Sequence, residues 1–177
     1  MRRLGVIVAL GALLSMFGGA ATAAPALAGG RGDGWMFQTE LEQTFNLPAD
    51  FCGFPIVFKF DVVNAFGKEF TAPDGSTFLL FNGSLKGTFT NPANGKSISV
   101  NVPSPTKATF SPDGMTITLV GTGPIPSILT PADAAVLGVP PVSLFAGRIT
   151  ATLDADGNMI SGSLVGHVLV NICAALS

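Results

Sequence analysis

The chain has 177 residues and a formal net charge of −2, and 47% of its residues are hydrophobic against 11% charged. After an N-terminal Arg2-Arg3 pair, the other basic residues stand singly along the sequence. This scatter excludes the clustered positive stripe that binding to nucleic acid requires, and it argues equally against an anionic membrane surface.

Residues 1–23 are predicted to form a cleaved secretory signal peptide. Arg2 and Arg3 supply the positive start, and residues 4–17 are apolar or small with a single serine among them. This apolar stretch is shorter than the ~20 residues that a membrane-spanning helix needs. The small residues at 21–23 predict cleavage after Ala23, and 26–28 offers a second site. We therefore expect a secreted, extracellular protein with no integral membrane segment after cleavage.

Residues 24–34 have too little apolar bulk to pack and are predicted to form a flexible N-terminal tether. A single β domain is expected over 35–177. A mature chain of this size is long enough for one domain that buries about two thirds of its unfolded surface.

Four hairpin turns organise the predicted domain. Each contains an Asp-Gly or Asn-Gly pair, which is the strongest local hairpin signal because Gly accepts positive φ and Asp or Asn tolerates it. The turns lie at 73–76, 93–96, 112–115 and 155–158. Segments with alternating apolar and polar residues flank them, as in half-buried strands.

The turns predict which strands are neighbours. Strand pairs are expected at 67–72 with 76–82, 84–91 with 96–102, 105–111 with 115–121, and 147–154 with 158–171; further strands are expected near 36–46 and 55–64. Asn82-Gly83 and residues 103–105 are predicted to connect one hairpin to the next. The predicted fold is therefore an all-β, antiparallel meander of about 8–10 strands that closes into a barrel, with a two-layer β-sandwich as the alternative.

One segment, residues 122–143, departs from this pattern because it contains five prolines and a single charge. Within it, Thr130 is a typical N-cap, Pro131 suits the first helical position and Gly138 is a typical helix end, which predicts a short helix at 131–137. The segment is too apolar for a solvated loop. We interpret it as a lid or plug, with candidate lid residues Ile125, Ile128, Leu129, Val136 and Leu137.

Phenylalanine is abundant, with 14 residues against one Trp and no Tyr. The simplest interpretation is core filling, since each Phe buries a large area and strands favour aromatic residues. The alternative is a Phe-lined cavity inside a barrel that holds one small apolar ligand. The candidate lining residues are Phe58, Phe60, Phe78, Phe89, Phe110 and Phe145.

The chain has two cysteines, Cys52 and Cys173, near the two ends of the predicted domain. In an oxidising compartment an even pair is typical of one disulfide, and the alternative is two free thiols. Closing such a long loop restricts the unfolded chain by roughly 5 kcal/mol in the entropic model. Two cysteines and one histidine lack the close spacing of a structural zinc site.

No motif predicts catalysis, a metal or a cofactor. His167 is the only histidine, and no Gly-x-Ser-x-Gly elbow accompanies it. Residues 154–158 superficially resemble a calcium loop, but they lack the ligand order and the final Glu of an EF-hand, and a hairpin turn explains them. A hydrolase is accordingly disfavoured.

Several motifs resemble those of small secreted bacterial β-rich proteins of unknown function with a terminal cysteine pair. The resemblance rests on Cys52-Gly53-Phe54-Pro55, on the turn at 91–97, on Gly147-Arg148-Ile149, and on Gly166-His167 with the closing residues 172–176. It implies a secreted β domain with a terminal disulfide and transfers no catalytic residue. The expected function is an exported, non-enzymatic barrel-like protein that binds a small apolar ligand or a surface partner. The alternative is a structural envelope-associated or extracellular module with a solid core.

Overall fold

In a computed structural model, a ten-stranded antiparallel sheet curls into a half-barrel and carries two short helices. The structure describes residues 30–31, 35–37, 44–102, 105–157 and 159–177. The strands are β1 (Gly30–Arg31), β2 (Trp35–Phe37), β3 (Thr44–Leu47), β4 (Ile56–Thr71), β5 (Thr77–Thr90), β6 (Ser97–Val102), β7 (Thr106–Phe110), β8 (Thr116–Ile128), β9 (Val142–Asp154) and β10 (Met159–Asn171); the helices are α1 (Pro131–Leu137) and α2 (Ile172–Leu176). The all-β, antiparallel prediction is confirmed. The predicted signal peptide and most of the predicted tether lie outside the described residues.

Sheet neighbours mostly follow chain order, as the short connections predict. The order is β1-β2-β4-β5-β7-β8-β9-β10, with β3 paired to β4 and β6 paired to β5. β6 and β7 both pair with β5, and they do so at successive positions along the same edge of that strand. Leu85 of β5 pairs with Val102 of β6, and Phe81 of β5 pairs with Thr106 of β7. Residues 103 and 104 of the connection predicted between β6 and β7 lie outside the described residues.

The four predicted hairpin turns are present, and side-chain oxygens of Asp or Asn organise their backbones. Asp74 Oδ1 accepts a hydrogen bond of 2.9 Å from the Ser76 backbone N–H. The same i to i+2 bond joins Asn94 to Lys96 at 2.9 Å, Asp113 to Met115 at 3.0 Å and Asp154 to Asp156 at 3.0 Å. Such Asx turns explain why these positions hold Asp or Asn rather than another polar residue.

The sheet differs from the prediction at Asn82-Gly83, which lies inside β5 rather than between two strands. β4 and β5 are each continuous, so the strands expected at 55–64 and 67–72 form one element, as do those at 76–82 and 84–91. Gly83 has a φ of 138° and pairs with Ala65. A Cβ atom at Gly83 would collide with the carbonyl oxygen of Asn64. Glycine thus lets the strand bend without ending.

A line of glycines crosses the other half of the sheet. Gly123, Gly147 and Gly166 are direct cross-strand neighbours on β8, β9 and β10, with φ values of 100°, 144° and 150°. The register also aligns Gly83 of β5 with Gly123 of β8. Thr106 of β7 pairs with Phe81 on one side and with Gly121 on the other, and Gly83 and Gly123 each lie two residues further along their strands. Glycine kinks at aligned positions curve a sheet, so this line accounts for the curl of the half-barrel.

β8 extends further than expected, to Ile128, and includes Pro124 and Pro126 from the segment predicted to be irregular. Among the described strands, residues 122–128 of β8 pair only with β9. The two prolines are two residues apart and so direct their missing N–H groups to the same side. On the side away from β9 those groups are not needed for the ladder.

Helix α1 begins and ends where the sequence predicts. The Thr130 side chain accepts a hydrogen bond from the Asp133 backbone N–H at 3.2 Å, and Pro131 occupies the first turn. Gly138 ends the helix with a left-handed φ of 67°. Each end uses the capping chemistry typical of its residue type.

Buried side chains form two clusters, referred to below as the first and the second. The first joins β3–β6 to α2 and to the adjoining ends of β8 and β9: Leu47, Ile56, Phe58, Phe60, Ala65, Phe89, Val100, Val102, Ile128, Val142, Ile172 and Leu176. The second joins β5 and β7–β9 to α1 and its flanks: Leu79, Ala108, Leu119, Ile125, Leu129, Ala134, Phe145, Ile149, Ala151 and Leu153. Because strand side chains alternate, β8 and β9 contribute to both clusters from opposite faces.

Helix α2 is attached covalently and by hydrogen bonds. Cys52 and Cys173 form a disulfide with Cα atoms 5.2 Å apart, which confirms the predicted pairing. Ile172 and Leu176 are buried in the first cluster. The helix contacts β6, β9 and β10. β6 is not hydrogen-bonded to β8, and the helix packs beside this gap in the sheet.

Candidate functional site

Three of the six candidate lining residues lie together in the first cluster. Phe58 stacks on Phe89 with ring centroids 4.1 Å apart and meets Phe60 edge-to-face at 4.9 Å. None of the three is more than 4% exposed. A Cβ atom at Gly87 would lie 2.6 Å from Phe58 Cε2, so the glycine lets this ring lie directly on β5. These rings make their closest aromatic contacts with one another.

The other three candidate lining residues are divided. Phe145 is buried in the second cluster and Phe110 packs against it. Phe78 lies on the opposite face of β5 from the buried Leu79. There it stacks on Phe70 with centroids 5.0 Å apart, and the Lys107 ammonium lies 4.3 Å from the ring centre. The structure therefore places the six residues in three locations.

The candidate lid residues are also divided. Ile125 and Leu129 are buried in the second cluster, and Leu137 packs against it. Ile128 belongs to the first cluster, on the other face of β8. Val136 is 83% exposed. Part of the apolar surface of the segment thus packs on the second cluster, and the Val136 side of α1 faces solvent.

The chemically reactive residues do not assemble into a site. His167 is exposed on β10 opposite Ala146. Within the described ranges, no group of three or more His, Cys, Asp or Glu side chains could hold a metal ion. Asp154 and Asp156 belong to the turn between β9 and β10.

The most accessible long element is β10, at the edge of the sheet. Among the described strands it pairs only with β9, and nine of its thirteen residues are exposed. β9 has the same length and is paired on both sides, and Arg148 is its only exposed residue. An edge strand presents main-chain N–H and C=O groups that can pair with another chain.

Between two register shifts β10 pairs with β9 without interruption, and Gly166, with a φ of 150°, is the one glycine kink within that stretch. Register shifts fall at Ile160 and at Leu169, and residues 161–168 pair one to one with β9 from Thr152 to Phe145. We call these eight residues the open edge. Bulges are one of the devices that protect sheet edges from pairing, but here they lie outside the central segment.

The open edge is uncharged, with Val165 exposed on it and Ile160 and Leu169 exposed just beyond its two ends. Ile160, Val165 and Leu169 are 59%, 68% and 46% exposed, and they are three of the five large hydrophobic residues exposed in the described part of the chain. Residues 157–177 contain no Lys, Arg, Asp, Glu or Pro. Charged residues and Pro are what natural edge strands use to prevent pairing.

Sequence reasoning did not single out this edge. The available signal was the charge-free C-terminal segment, which is unusual beside strands such as β4 and β7 that carry lysines. That signal becomes informative only when β10 is known to be at an edge, because a strand paired on both sides needs no protection.

No protein-family model matches the chain, and neither the curated proteins nor the solved structures compared with it gave a match. In the part of the chain that the structure describes, none of the helices has the length and apolar character needed to cross a membrane.

Proposed function

We propose that this protein is an exported, non-enzymatic β domain that acts by binding a partner polypeptide through strand pairing at the open edge. The single observation that carries the proposal is the eight-residue edge that is paired on one side only among the described strands, is mostly exposed, and is free of charge and proline. Strand addition uses main-chain hydrogen bonds for affinity and alternate side chains for specificity. Here Ser163, Val165 and His167 lie on one face and would contact the side chains of the added strand.

Binding of a small apolar ligand inside the barrel has less support. Phe58, Phe60 and Phe89 contact one another closely, so these rings act as core rather than as free lining surface. A core filled by these three rings fits a protein that works through its surface. It also fits the purely structural module, which differs from our proposal in having no binding edge.

Export and the absence of catalysis are parts of the same proposal. The Cys52–Cys173 disulfide suits an oxidising compartment, and the N-terminal sequence has the pattern of a signal peptide. The single histidine stands on an exposed strand without an acid partner among the residues that face it across β9. Its position suits contact with an added strand better than proton transfer.

The test uses a synthetic peptide with the sequence of residues 159–171, flanked by lysines for solubility. Hydrogen–deuterium exchange of the purified protein at low micromolar concentration is measured with and without the peptide. We expect saturable binding and slower exchange within residues 161–168, because outward N–H groups become hydrogen-bonded. A peptide with the same residues in scrambled order is the control.

Two results would overturn the proposal. One is the absence of any peptide-dependent protection at β10, and the other is equal protection by the scrambled peptide. An environment-sensitive naphthalene sulfonate dye provides the competing measurement: saturable dye binding that the 159–171 peptide does not displace favours the interior ligand site instead.

A further inference from the structure

We propose that the partner of the open edge is a second copy of this chain, and that two molecules pair their β10 strands antiparallel about a two-fold axis beside Val165. This inference rests on the proposed function because it uses the same edge. Two-fold dimers are the commonest symmetric assemblies, and their interface joins one surface to itself. The question is therefore whether the open edge is complementary to itself.

The side chains on the open edge satisfy this requirement. A two-fold axis perpendicular to the sheet keeps the same face of both molecules on the same side. Val165 then lies opposite its own copy, and Ser163 lies opposite the second copy's His167. Directly opposed residues on paired strands have Cβ atoms about 4.5–5.5 Å apart. The centre of the contact is apolar, and a hydroxyl and an imidazole, which can hydrogen-bond, flank it on each side.

Electrostatics does not oppose this pairing. β10 itself carries no Lys, Arg, Asp or Glu. The charged residue paired directly with Val165 is Arg148, on β9. In the dimer Arg148 and its copy are separated by three strand spacings, about 14 Å. This exceeds the screening length of about 8 Å at physiological ionic strength. An edge of this kind has no built-in repulsion against itself.

The bulges define the extent of the contact and the position of the axis. They lie at Ile160 and Leu169, nearly equidistant from Val165, so both strands offer each other the same stretch without a register shift. Helix α1 touches β10 and leaves nine of its residues exposed. Eight residues of paired strand form an interface at the small end of the usual range, which predicts a reversible dimer in the micromolar range.

The experiment measures the monomer–dimer equilibrium of the purified protein by analytical ultracentrifugation at low salt, for the wild type and for Val165→Lys and Val165→Glu. Each substitution places like charges opposite each other at the axis, and we expect it to weaken the dimer about tenfold or more. An equimolar mixture of the Lys and Glu variants should recover association, because unlike charges then face each other. Met115→Lys is the matched control: Met115 is 59% exposed in a hairpin turn outside β10.

Recovery in the mixture, with Met115→Lys dimerising like the wild type, supports the two-fold pairing. A wild type that stays monomeric at hundreds of micromolar overturns it, as does a dimer that neither Val165 substitution weakens. These failures are separable from failure of the proposed function. If the 159–171 peptide still protects β10 in a monomeric wild type, the edge can add a strand although two folded copies do not pair through it, so only this inference is wrong; if the peptide gives no protection, both proposals are wrong.

Discussion

The side-chain amide of Asn91 donates a hydrogen bond of 3.0 Å to the carbonyl oxygen of Leu176, joining residues 85 positions apart. Asn94 donates to the same oxygen at 3.0 Å, and the Lys96 ammonium donates to the Ser177 carbonyl oxygen. The turn between β5 and β6 therefore receives the C-terminal turn of α2 and holds the helix against the first cluster.

Replacing Asn91 by Ala is expected to lower the free energy of unfolding by about 1–3 kcal/mol, the cost of disrupting a buried hydrogen-bond network. Asn91 is 3% exposed, and its Oδ1 also accepts the Ala93 N–H at 2.9 Å. Asn94→Ala is the comparison: it also removes a bond to the Leu176 oxygen and an Asx-turn bond, the one from the Lys96 N–H, but from an exposed residue, and it should cost less. Urea unfolding of both variants gives the comparison, and equal losses would contradict the importance of burial.

The sequence predicts well those features that depend on local chemistry. The turns at Asp74 and Asp113 follow from an Asx oxygen beside Gly, and α1 follows from Thr130 and Gly138 at its ends. The disulfide prediction follows from the presence of just two cysteines together with the predicted oxidising compartment. The turn and helix predictions use only a few neighbouring residues, and the disulfide prediction uses only the two cysteines and the predicted compartment.

Features that depend on distant pairing could not be predicted in this way. Asn82-Gly83 has the composition of a turn, yet β4 continues opposite it and keeps it within a strand. Pro124 and Pro126 lie in a stretch of β8 that, among the described strands, pairs only with β9, so one side of the strand there needs no N–H donors for a ladder. The open edge is likewise a property of the sheet order and not of β10 alone.

The disulfide is expected to contribute much of the stability. It closes a loop with a sequence separation of 121 residues. Cys52→Ser with Cys173→Ser should lower the free energy of unfolding by roughly 4–5 kcal/mol, mainly because the unfolded chain gains entropy. The measurement is guanidinium unfolding of the double variant beside the wild type with and without reductant. Matching midpoints for the double variant and the oxidised wild type would show that the loop constraint is unimportant.

The glycine line predicts a sharp difference between two Gly→Ala substitutions. At Gly147 an added Cβ would collide with the carbonyl oxygen of Val165, while at Gly157 no atom lies within 4 Å. Both residues have positive φ, at 144° and 81°. Gly157→Ala should therefore cost only about 1 kcal/mol of backbone strain. Gly147→Ala should cost clearly more, because β9 and β10 must also separate. Thermal unfolding measures the loss of stability in both variants. Similar losses would argue that the aligned glycines are not the origin of the sheet's curvature.

The aromatic contacts predict another pair of unequal effects. Phe58→Ala should lower the free energy of unfolding by about 3–5 kcal/mol, since the ring is fully buried and its removal leaves a cavity. Phe78→Ala is the control, because Phe78 lies half-buried on the opposite face of β5. Its loss should be smaller and should depend on its contacts with Phe70 and Lys107. Urea unfolding distinguishes the two, and a mild effect at Phe58 would indicate that the ring lines open space.

Two hairpin turns should weaken in acid. Hydrogen bonds hold the pKa of Asp74 below its ordinary value, chiefly the one from the Ser76 hydroxyl. The Ser111 hydroxyl is likewise the main cause of the lowered pKa of Asp113. Because these values are lower in the folded state, the stabilisation is complete above the unfolded pKa near 4 and is lost as pH falls through the folded pKa.

Carboxylate titrations followed by NMR test this directly, with Ser76→Ala and Ser111→Ala as the variants. Each substitution removes the main hydrogen-bond donor to its aspartate, so the titration midpoint of Asp74 or Asp113 should rise toward the ordinary value. The other aspartate in each variant is the internal control and should not move, because the two turns share no hydrogen bond. Midpoints that are unchanged in both variants would contradict the assignment of the shift to the hydroxyl donors.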